Sequence, residues 1–274
     1  MQPLDEFQRK QAILLELESS GKVSVNALAE RFGVSTVTVR KDLDALETSS
    51  QLRRVRGGAV SVGTTDEGAF DIRLRYAVEA KRAIARSVAP LVQHGDVIAM
   101  DSSTTCYYLA HELLDRHHLV VVTNGLRTAE LFMEHSSAMV LMPGGTLRRS
   151  AGSMVGPIGH ILSGRGQIDQ GFFGVVGLSI EHGLMDIAVE EAQTKGYLAA
   201  ACRRVYGLFD STKVGRFAVH SFVPTDRVDG LYTDDGIDAA SISAWTDLGV
   251  EVHTTPVSRT GEYDEPARVV EGAS

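Results

Sequence analysis

The chain has 274 residues, of which 43% are hydrophobic and 23% charged, values typical of a folded protein with one large or two unequal domains. It shows neither an apolar run near the ~18 residues of a membrane span nor an N-terminal secretory signal. We therefore expect a cytoplasmic protein with no membrane partner, in which Cys106 and Cys202 are reduced thiols. The net charge of −8, taken over the whole chain, argues against nucleic acid as a partner.

The charge is unevenly distributed, however. Residues 31–60 hold six basic and three acidic side chains, a net charge of +3, which leaves −11 for the rest of the chain. Such an asymmetry is typical of a nucleic-acid-binding module attached to an acidic body.

The first sixty residues predict three helices. The stretch EFQRKQAILLELES has apolar residues at helical spacing and stops at Gly21. A short strand, KVSV, follows, and Ser24 is a suitable N-cap for a second helix, NALAERF. Gly33, Val34 and Ser35 form a tight turn, after which Ser35 can cap a third helix, TVTVRKDLDALE. Two helices joined by a three-residue turn are the arrangement that places one helix in the DNA major groove.

The third helix and the segment after it carry side chains suited to DNA. Short hydroxyl groups and cations near a helix N-terminus reach phosphates and base edges. The segment QLRRVRGGAV alternates arginines with apolar residues before a Gly-Gly turn, which predicts a basic wing of two strands. The candidate DNA-binding residues are Ser35, Thr36, Thr38, Arg40, Lys41, Arg53, Arg54 and Arg56. The alternative is a three-helix cap that packs on a larger domain and leaves its arginines solvated.

This region also resembles a known family. The run VSTVTVRKDL at 34–43, followed by LRRVRGGA at 52–59, is similar to the N-terminal domain of DeoR-type transcriptional repressors. The resemblance implies that residues 1–60 form a winged helix-turn-helix DNA-binding domain and that the protein controls genes of sugar catabolism.

The remaining chain, after a polar linker predicted at 61–75, alternates strand and helix signals. The predicted strands are VIAMD, LVVVTN, AMVLMPGG, GFFGVVGLS, VYGLFD, RVDGLYTD and VEVHTT. The predicted helices are YAVEAKRAIARSVAPLV, TTCYYLAHELL, LRTAELFMEH, VEEAQTKGYLAAAC and GIDAASISAWTDLG. Continuous apolar strands between amphipathic helices favour a doubly wound, mostly parallel α/β domain at 76–257. A disordered tail is expected at 258–274.

Several of these strands end in polar residues. In doubly wound sheets, ligands bind at the C-terminal ends of the strands, where a helix N-terminus offers unpaired N–H groups to an anion. The hydroxyl groups of DSSTT add donors for a phosphate, Asp101 suits sugar hydroxyls, and nearby cations neutralise an anion. The candidate effector-binding residues are Asp101, Ser102, Ser103, Thr104, Thr105, Thr123, Asn124, Gly144, Gly145, Arg148, Glu191, Lys195, Asp210 and Lys213. The alternative is that the serines and threonines only cap a helix.

The resemblance to DeoR-type regulators extends to these segments and covers nearly the whole chain. DSSTT is similar to the family's DGSTT and TNG to its TNS, and the pairs Glu191 with Lys195 and Asp210 with Lys213 match later family signatures. The resemblance implies a sensor domain for phosphorylated sugars whose fold is related to pentose-phosphate isomerases. Ser102, Gly125 and Gly196 depart from the family pattern, and the first two lie near the expected ligand.

We therefore expect a transcriptional regulator, most simply a repressor, of carbohydrate catabolism whose DNA binding responds to a phosphorylated sugar or polyol. A homodimer or homotetramer is expected, because two-fold symmetry places two recognition helices on inverted operator half-sites. The rival hypothesis is a sugar-phosphate isomerase-like enzyme with an accessory DNA-binding domain, in which the same carboxylates and lysines act on an enediolate. No metal-ligand spacing or nucleotide-binding glycine motif occurs, so neither a metal nor a cofactor is expected.

Overall fold

The computed structural model describes residues 5–20, 22–48, 52–60, 70–156 and 167–257. Residues 61–69 of the predicted linker and the predicted tail at 258–274 lie outside the described residues. Within the described ranges, no helix combines the length and the apolar character needed to cross a membrane.

The described N-terminal residues form the three predicted helices and a small antiparallel sheet. Its elements are α1 (Glu6–Ser20), β1 (Lys22–Ser24), α2 (Val25–Phe32), α3 (Thr36–Thr48), β2 (Arg53–Val55) and β3 (Gly58–Val60). The strands pair in the order β1-β3-β2. Between β2 and β3 the chain turns at Gly57, whose φ of +86° suits glycine and strains other residues. The predicted wing is therefore a β-hairpin packed beside the helices.

An apolar core and a buried ion pair hold the three helices together. Ile13 of α1, Leu28 of α2 and Leu43 of α3 are fully buried in one cluster. Beside them, Arg9 of α1 makes a two-pronged contact with Asp42 of α3, with Nε 2.5 Å from Oδ2 and Nη2 3.1 Å from Oδ1. Such a forked contact fixes orientation as well as distance, so it sets the position of α3 on α1.

The second domain alternates helices and strands as predicted. Its elements are α4 (Phe70–Leu74), α5 (Val78–Val88), β4 (Val97–Met100), α6 (Thr104–His111), β5 (Val120–Thr123), α7 (Leu126–His135), β6 (Met139–Leu141), β7 (Thr146–Arg148), β8 (Ser153–Val155), β9 (Ile168–Gly174), β10 (Gly177–Ser179), β11 (Gly183–Asp186), α8 (Val189–Ala200), β12 (Cys202–Leu208), β13 (His220–Val223), β14 (Gly230–Asp234), α9 (Ala239–Thr246) and β15 (Glu251–Thr255).

The main sheet of this domain is parallel and is covered on both faces. Its order is β15-β14-β12-β9-β4-β5-β6, and every pairing between these strands in the described ranges is parallel. One face packs against α5, α6 and α7 in a first apolar cluster, and the other packs against α8 and α9 in a second. The predicted doubly wound α/β fold is confirmed.

The order of the strands reverses at β4 and β9, which are neighbours. From β4 the chain continues to β5 and β6 on one side, whereas from β9 it continues to β12, β14 and β15 on the other. A crevice for a ligand is expected outside the carboxyl ends of the strands at such a switch point. We call this place the effector crevice.

Three predictions from the sequence need correction. GFFGVVGLS is not one strand, because β9 ends at Gly174 and the chain then turns into β10, which belongs to a separate antiparallel sheet of order β10-β11-β13. The predicted linker at 61–75 includes the helix α4, whose Phe70 is buried and donates its N–H to the carbonyl of Ser150. Ser24 precedes α2 as predicted, but its side chain makes no capping hydrogen bond.

An apolar cluster joins the two domains. The core of the N-terminal domain continues into Met185 of β11 and into Phe217 and Ala218, which precede β13, while Val176 and Val219 pack at its margin. The contact is thus made through the antiparallel sheet β10-β11-β13 and the segments beside it. We call β10-β11-β13 the small sheet.

Candidate functional site

The candidate DNA-binding surface begins at the N-terminus of α3. Ser35 Oγ accepts a hydrogen bond from the Thr38 N–H at 3.0 Å and lies 2.9 Å from Thr38 Oγ1. Ser35 therefore caps α3, as the sequence predicts. Ser35 is exposed, and Thr36 and Thr38 are half-buried beside it, so the start of the helix is ordered by its own hydroxyl groups.

The outward face of α3 presents cations and an exposed apolar side chain. Arg40 and Lys41 are exposed, whereas Val39 and Leu43 on the opposite face are buried. Val37, which the sequence analysis did not single out, is 70% exposed on the same outward face. An exposed methyl-bearing side chain on a recognition helix can contact the methyl group of thymine. The helical spacing of residues 37, 40 and 41 would have been the signal for it.

The wing arginines occupy different positions. Arg54 is half-buried and its side-chain Nε lies 3.3 Å from Asp44 Oδ1. Its backbone N–H donates to Glu47 Oε1 at 2.7 Å. These contacts attach β2 to α3. Arg56 is exposed in the turn of the hairpin, and the side chain of Arg53 lies outside the described residues. Arg56 is thus the wing arginine that lies at the tip of the hairpin.

A buried lysine lies where the carboxyl ends of β4 and β9 meet. Lys195 of α8 is only 3% exposed, and its Nζ lies 2.9 Å from Asp101 Oδ2, 2.6 Å from Asp186 Oδ2 and 3.1 Å from the carbonyl oxygen of Gly174. Asp101 also accepts the N–H groups of Ser103 at 3.0 Å and Gly174 at 2.9 Å. We call Asp101, Gly174, Asp186 and Lys195 the lysine centre. It links the ends of β4, β9 and β11 through one ammonium group.

A second buried group lies one turn earlier on α8. Glu191 Oε1 is 2.8 Å from Arg148 Nη1 and also accepts from the hydroxyl of Ser153, and Glu191 Oε2 accepts from Asn124 Nδ2 at 3.1 Å. We call these four residues the glutamate centre. Asn124 Oδ1 is buried and has no hydrogen-bond partner in the described part of the chain. Since an unpaired buried acceptor is costly, this oxygen suits a donor supplied by a ligand.

The loops after β4 and β5 approach each other closely between these centres. A Cβ at Gly125 would lie 3.0 Å from Ser102 Cα and 3.3 Å from Thr128 Oγ1. Thr123 Oγ1 accepts the N–H of Gly125 at 3.0 Å. Ser102 and Gly125, the two departures from the family pattern expected near a ligand, therefore face each other across the same narrow space.

The remaining hydroxyl residues divide into a cap and buried neighbours. Ser103 is the N-cap of α6, because its Oγ accepts the Cys106 N–H at 3.2 Å, so the interpretation as a helix cap holds for this residue. Thr104 and Thr105 are buried in the first turn of α6. Gly144 and Gly145 lie exposed in the loop between β6 and β7.

A further group of charges lies at the end of β12. Asp210 begins the short 3-10 helix that contains Lys213. Lys81 of α5 is buried, and its Nζ donates to the carbonyl oxygens of Arg73 and Tyr76, each at 2.6 Å. Burial lowers the pKa of Lys81 to about 8, an effect that the Asp210 carboxylate opposes and that Lys213 and Arg73 reinforce.

The structure therefore brings Asp101 together with Lys195, and Asn124 and Arg148 together with Glu191. Sequence reasoning missed Asp186, Ser153 and Lys81. Asp186 ends the strand GLMD as Asp101 follows VIAM, a pattern that could have identified it. Ser153 lies on the hairpin β7–β8, which was not predicted. Lys81 occupies an ordinary position in an amphipathic helix, so the pattern gives no signal for it.

This arrangement collects hydrogen-bond donors and acceptors of the kind that a hydroxyl-bearing anion requires. The lysine centre holds a cation against two carboxylates, the glutamate centre holds one against a single carboxylate, and the N-terminus of α6 adds backbone N–H groups. Among the described residues, no group of three or more histidine, cysteine, aspartate or glutamate side chains is arranged to hold a metal ion.

Comparisons with protein families match both domains. Residues 9–65 match the model of the DeoR-like helix-turn-helix domain, and residues 76–235 match that of the DeoR C terminal sensor domain. Together these matches span most of the chain.

Named relatives match over nearly their whole length. The HTH-type transcriptional regulator GolR of Listeria innocua is 32% identical over 247 residues, which are 90% of this chain and 97% of the relative. The putative aga operon transcriptional repressor of Escherichia coli O157:H7 is 31% identical, covering 89% and 92%. The glycerol-3-phosphate regulon repressor of Escherichia coli K12 is 28% identical, covering 91% and 99%.

Solved structures show a more distant likeness. A D-ribose-5-phosphate isomerase in complex with phospho-erythronic acid aligns with a TM-score of 0.38 at 16% identity, over 49% of this chain and 52% of that one. A domain of a possible sugar-binding transcriptional regulator from Arthrobacter aurescens TC1 aligns with a TM-score of 0.37 at 15% identity, over 65% and 88%. Similarity at this level carries no argument about function.

Proposed function

Because this chain belongs to the DeoR family of DNA-binding transcriptional regulators, we propose that it represses genes of carbohydrate metabolism and that a phosphorylated sugar or polyol in the effector crevice controls its binding to operator DNA. The rival hypothesis of an isomerase-like enzyme is set aside, because the family and the named relatives are transcriptional regulators.

The observation that carries the proposal is the unpaired acceptor Asn124 Oδ1 beside two buried charge centres. A polyol hydroxyl is a donor for this oxygen. A phosphate is an acceptor for Lys195, Arg148 and the N–H groups at the start of α6, and charge-assisted hydrogen bonds of this kind are the strong ones. A ligand with both groups would use both centres, whereas an unphosphorylated sugar would lack the partner for the cations.

Two relatives support the chemical class of the ligand. One is named for the glycerol-3-phosphate regulon and another for the aga operon. By analogy, we propose that this protein acts on genes for the uptake or breakdown of a related sugar or polyol. DNA binding by a homodimer or homotetramer in the cytoplasm belongs to the same proposal.

Thermal stability measured with a panel of compounds tests the ligand class. The panel contains glycerol 3-phosphate, ribose 5-phosphate, fructose 6-phosphate and inorganic phosphate, with the unphosphorylated compounds as controls. A ligand at 100 times its Kd stabilises the folded state by about 2.7 kcal/mol, which raises the Tm by about 5–10 °C for a protein of this size. The proposal fails if no phosphorylated compound raises the Tm more than its unphosphorylated counterpart.

A conservative variant then locates the binding site. Thr105→Val keeps the shape of the side chain but removes a hydroxyl from the first turn of α6, so the stabilising compound should bind at least about tenfold more weakly. Thr246→Val makes the same change on α9, outside the crevice, and should leave the affinity unchanged. Equal affinities in the two variants would contradict the location.

A further inference from the structure

We propose that strand β11 transmits effector binding to the DNA-binding domain, with Asp186 sensing the ligand and Met185 contacting the domain that must move. This inference rests on the proposed function, since it concerns how a ligand in that crevice is sensed.

The two residues are neighbours with different surroundings. Asp186 Oδ2 lies 2.6 Å from Lys195 Nζ in the lysine centre. Met185 is buried in the apolar cluster that contains the core of the N-terminal domain. Successive side chains of a strand point to opposite faces, so a single residue step separates the crevice from the contact between domains.

A second segment makes the same connection. Gly174 accepts a hydrogen bond from Lys195 Nζ at 3.1 Å, and two residues later Val176 packs at the margin of the same apolar cluster. The N–H of Val176 donates to the carbonyl oxygen of Met185 at 3.0 Å. Lys195 therefore touches both segments that lead to the DNA-binding domain, and the two segments are bonded to each other.

The backbone of the small sheet packs closely against its neighbours. A Cβ at Gly183 would lie 2.0 Å from the carbonyl oxygen of Val223, and one at Gly177 would lie 2.1 Å from that of Arg216. Phe217, which belongs to the contact between domains, follows Arg216 directly. Since closely packed elements move together rather than deform, a displacement of β11 also displaces the segment around Phe217.

The charges supply the cause of such a displacement. In the structure Lys195 is shared between the carboxylates of Asp101 and Asp186. A phosphate that reaches Lys195 competes with both and repels both, and Asp186 is the one attached to the small sheet. The ligand then favours a conformation in which Asp186 has left Lys195, and the difference in its affinity for the two conformations sets the strength of the response.

The first experiment needs no ligand. Amide hydrogen exchange is measured on the full chain with Asp186→Asn, which removes the charge and keeps the shape, and with Asp234→Asn, the same change in a buried carboxylate at the end of β14. We expect Asp186→Asn to change exchange at least threefold in α1–α3, and Asp234→Asn to leave these helices unchanged. Identical exchange in α1–α3 for both variants would overturn the proposal.

The second experiment measures the response itself, with an operator selected in vitro and the stabilising compound of the panel. Met185→Ala is compared with Leu184→Ala, an equally buried neighbour that packs in the core of the sensor domain, and with the milder Phe217→Leu. We expect Met185→Ala and Phe217→Leu to reduce the ligand-induced change in DNA affinity at least threefold, while the Kd for the compound changes less than about twofold. Leu184→Ala should retain the full response.

The two experiments separate the two proposals. An unchanged response in Met185→Ala and Phe217→Leu overturns the role of β11 even where the compound binds and releases DNA. If no compound binds the wild-type protein, the proposed function fails, and hydrogen exchange in Asp186→Asn alone decides whether the crevice and the DNA-binding domain are connected.

Discussion

The candidate DNA-binding surface and the effector crevice use the same residue types in opposite ways. On α3, Arg40 and Lys41 are exposed to solvent, so they are available to phosphates of DNA at once and add little to stability. In the crevice, Lys195 and Glu191 are almost fully buried among charged partners. Burial of a charge is costly unless it is paired, so we expect these partners to stabilise the fold, and a ligand that binds either charge would have to exchange with them.

This difference would allow one protein to hold the two phosphate sites that we propose. An exposed cationic surface suits a repeating anion, which it binds through many weak contacts whose strength depends on salt. The buried crevice can select a single small anion, because each wrong ligand leaves a buried group unpaired. The sharpest tests of the comparison are therefore substitutions of matched residues in the two regions.

Replacing a lysine in each region should give the largest contrast. Lys195→Met leaves the carboxylates of Asp101 and Asp186 buried beside each other without their cation, so the free energy of unfolding should fall by about 3–5 kcal/mol. Lys41→Met should leave the urea midpoint of unfolding unchanged. Equal midpoints for the two variants would show that the buried centre is not needed for folding.

The ion pair of Arg9 with Asp42 is an exception to the comparison, because it is buried although it lies in the N-terminal domain. Arg9→Met leaves Asp42 buried without its partner below the DNA-binding surface, so the domain should lose about 3 kcal/mol of stability, measured by its thermal unfolding. The double variant Arg9→Met with Asp42→Leu removes both charges and should recover most of the loss. If the double variant is as unstable as the single one, packing rather than charge explains the effect.

The pH dependence of stability isolates a third buried cation. Lys81 has a pKa of about 8 in the folded protein, against an ordinary value of 10.5. Between these values the unfolded chain binds more protons, so the free energy of unfolding should rise with pH across this window, by about 3 kcal/mol in total. The rise is measured as the pH dependence of the difference in the free energy of unfolding between wild type and Lys81→Met. Lys22→Met, which removes an exposed lysine, is the control. A difference that does not change between pH 8 and 10.5 would contradict the assignment.

The smallest effect is expected on the exposed face of α3. Lys41→Ala should weaken binding to all DNA sequences similarly and lower the slope of log affinity against log salt by about 1. Arg82→Ala removes an exposed cation from α5 in the other domain and should leave both the affinity and the slope unchanged. A salt slope in Lys41→Ala equal to that of the wild type would remove Lys41 from the DNA-binding surface.

Local sequence patterns predicted the elements that are stabilised locally. LRTAELFMEH is α7 from its first residue to its last, and Ser35 caps α3 as expected. The elements that were missed depend on distant contacts. The strands β8, β11 and β13 have three or four residues each, too few for a period to show, and α4 is ordered by its contact with Ser150.

The candidate site follows the same division. Asp101 and Lys195 could be predicted because both belong to recognisable motifs, but their shared partner Asp186 lies on the missed strand β11. The pairing of Glu191 with Ser153 depends likewise on the missed hairpin. Sequence reasoning thus identified the polar residues at strand ends. Which of these residues contact one another depends on tertiary structure.

The contact between Met185, Phe217 and the N-terminal core bears on how such proteins can be recombined. In the proposed mode of DNA binding, residues on the outward face of α3 can change, and with them the DNA sequence that is recognised, without adjustment of the buried contacts. The opposite side of the same domain packs against the small sheet and the segment that precedes β13. A chimera that carries a foreign DNA-binding domain should therefore find its new operator yet ignore the metabolite, until residues 176, 185, 217 and 218 are exchanged along with it.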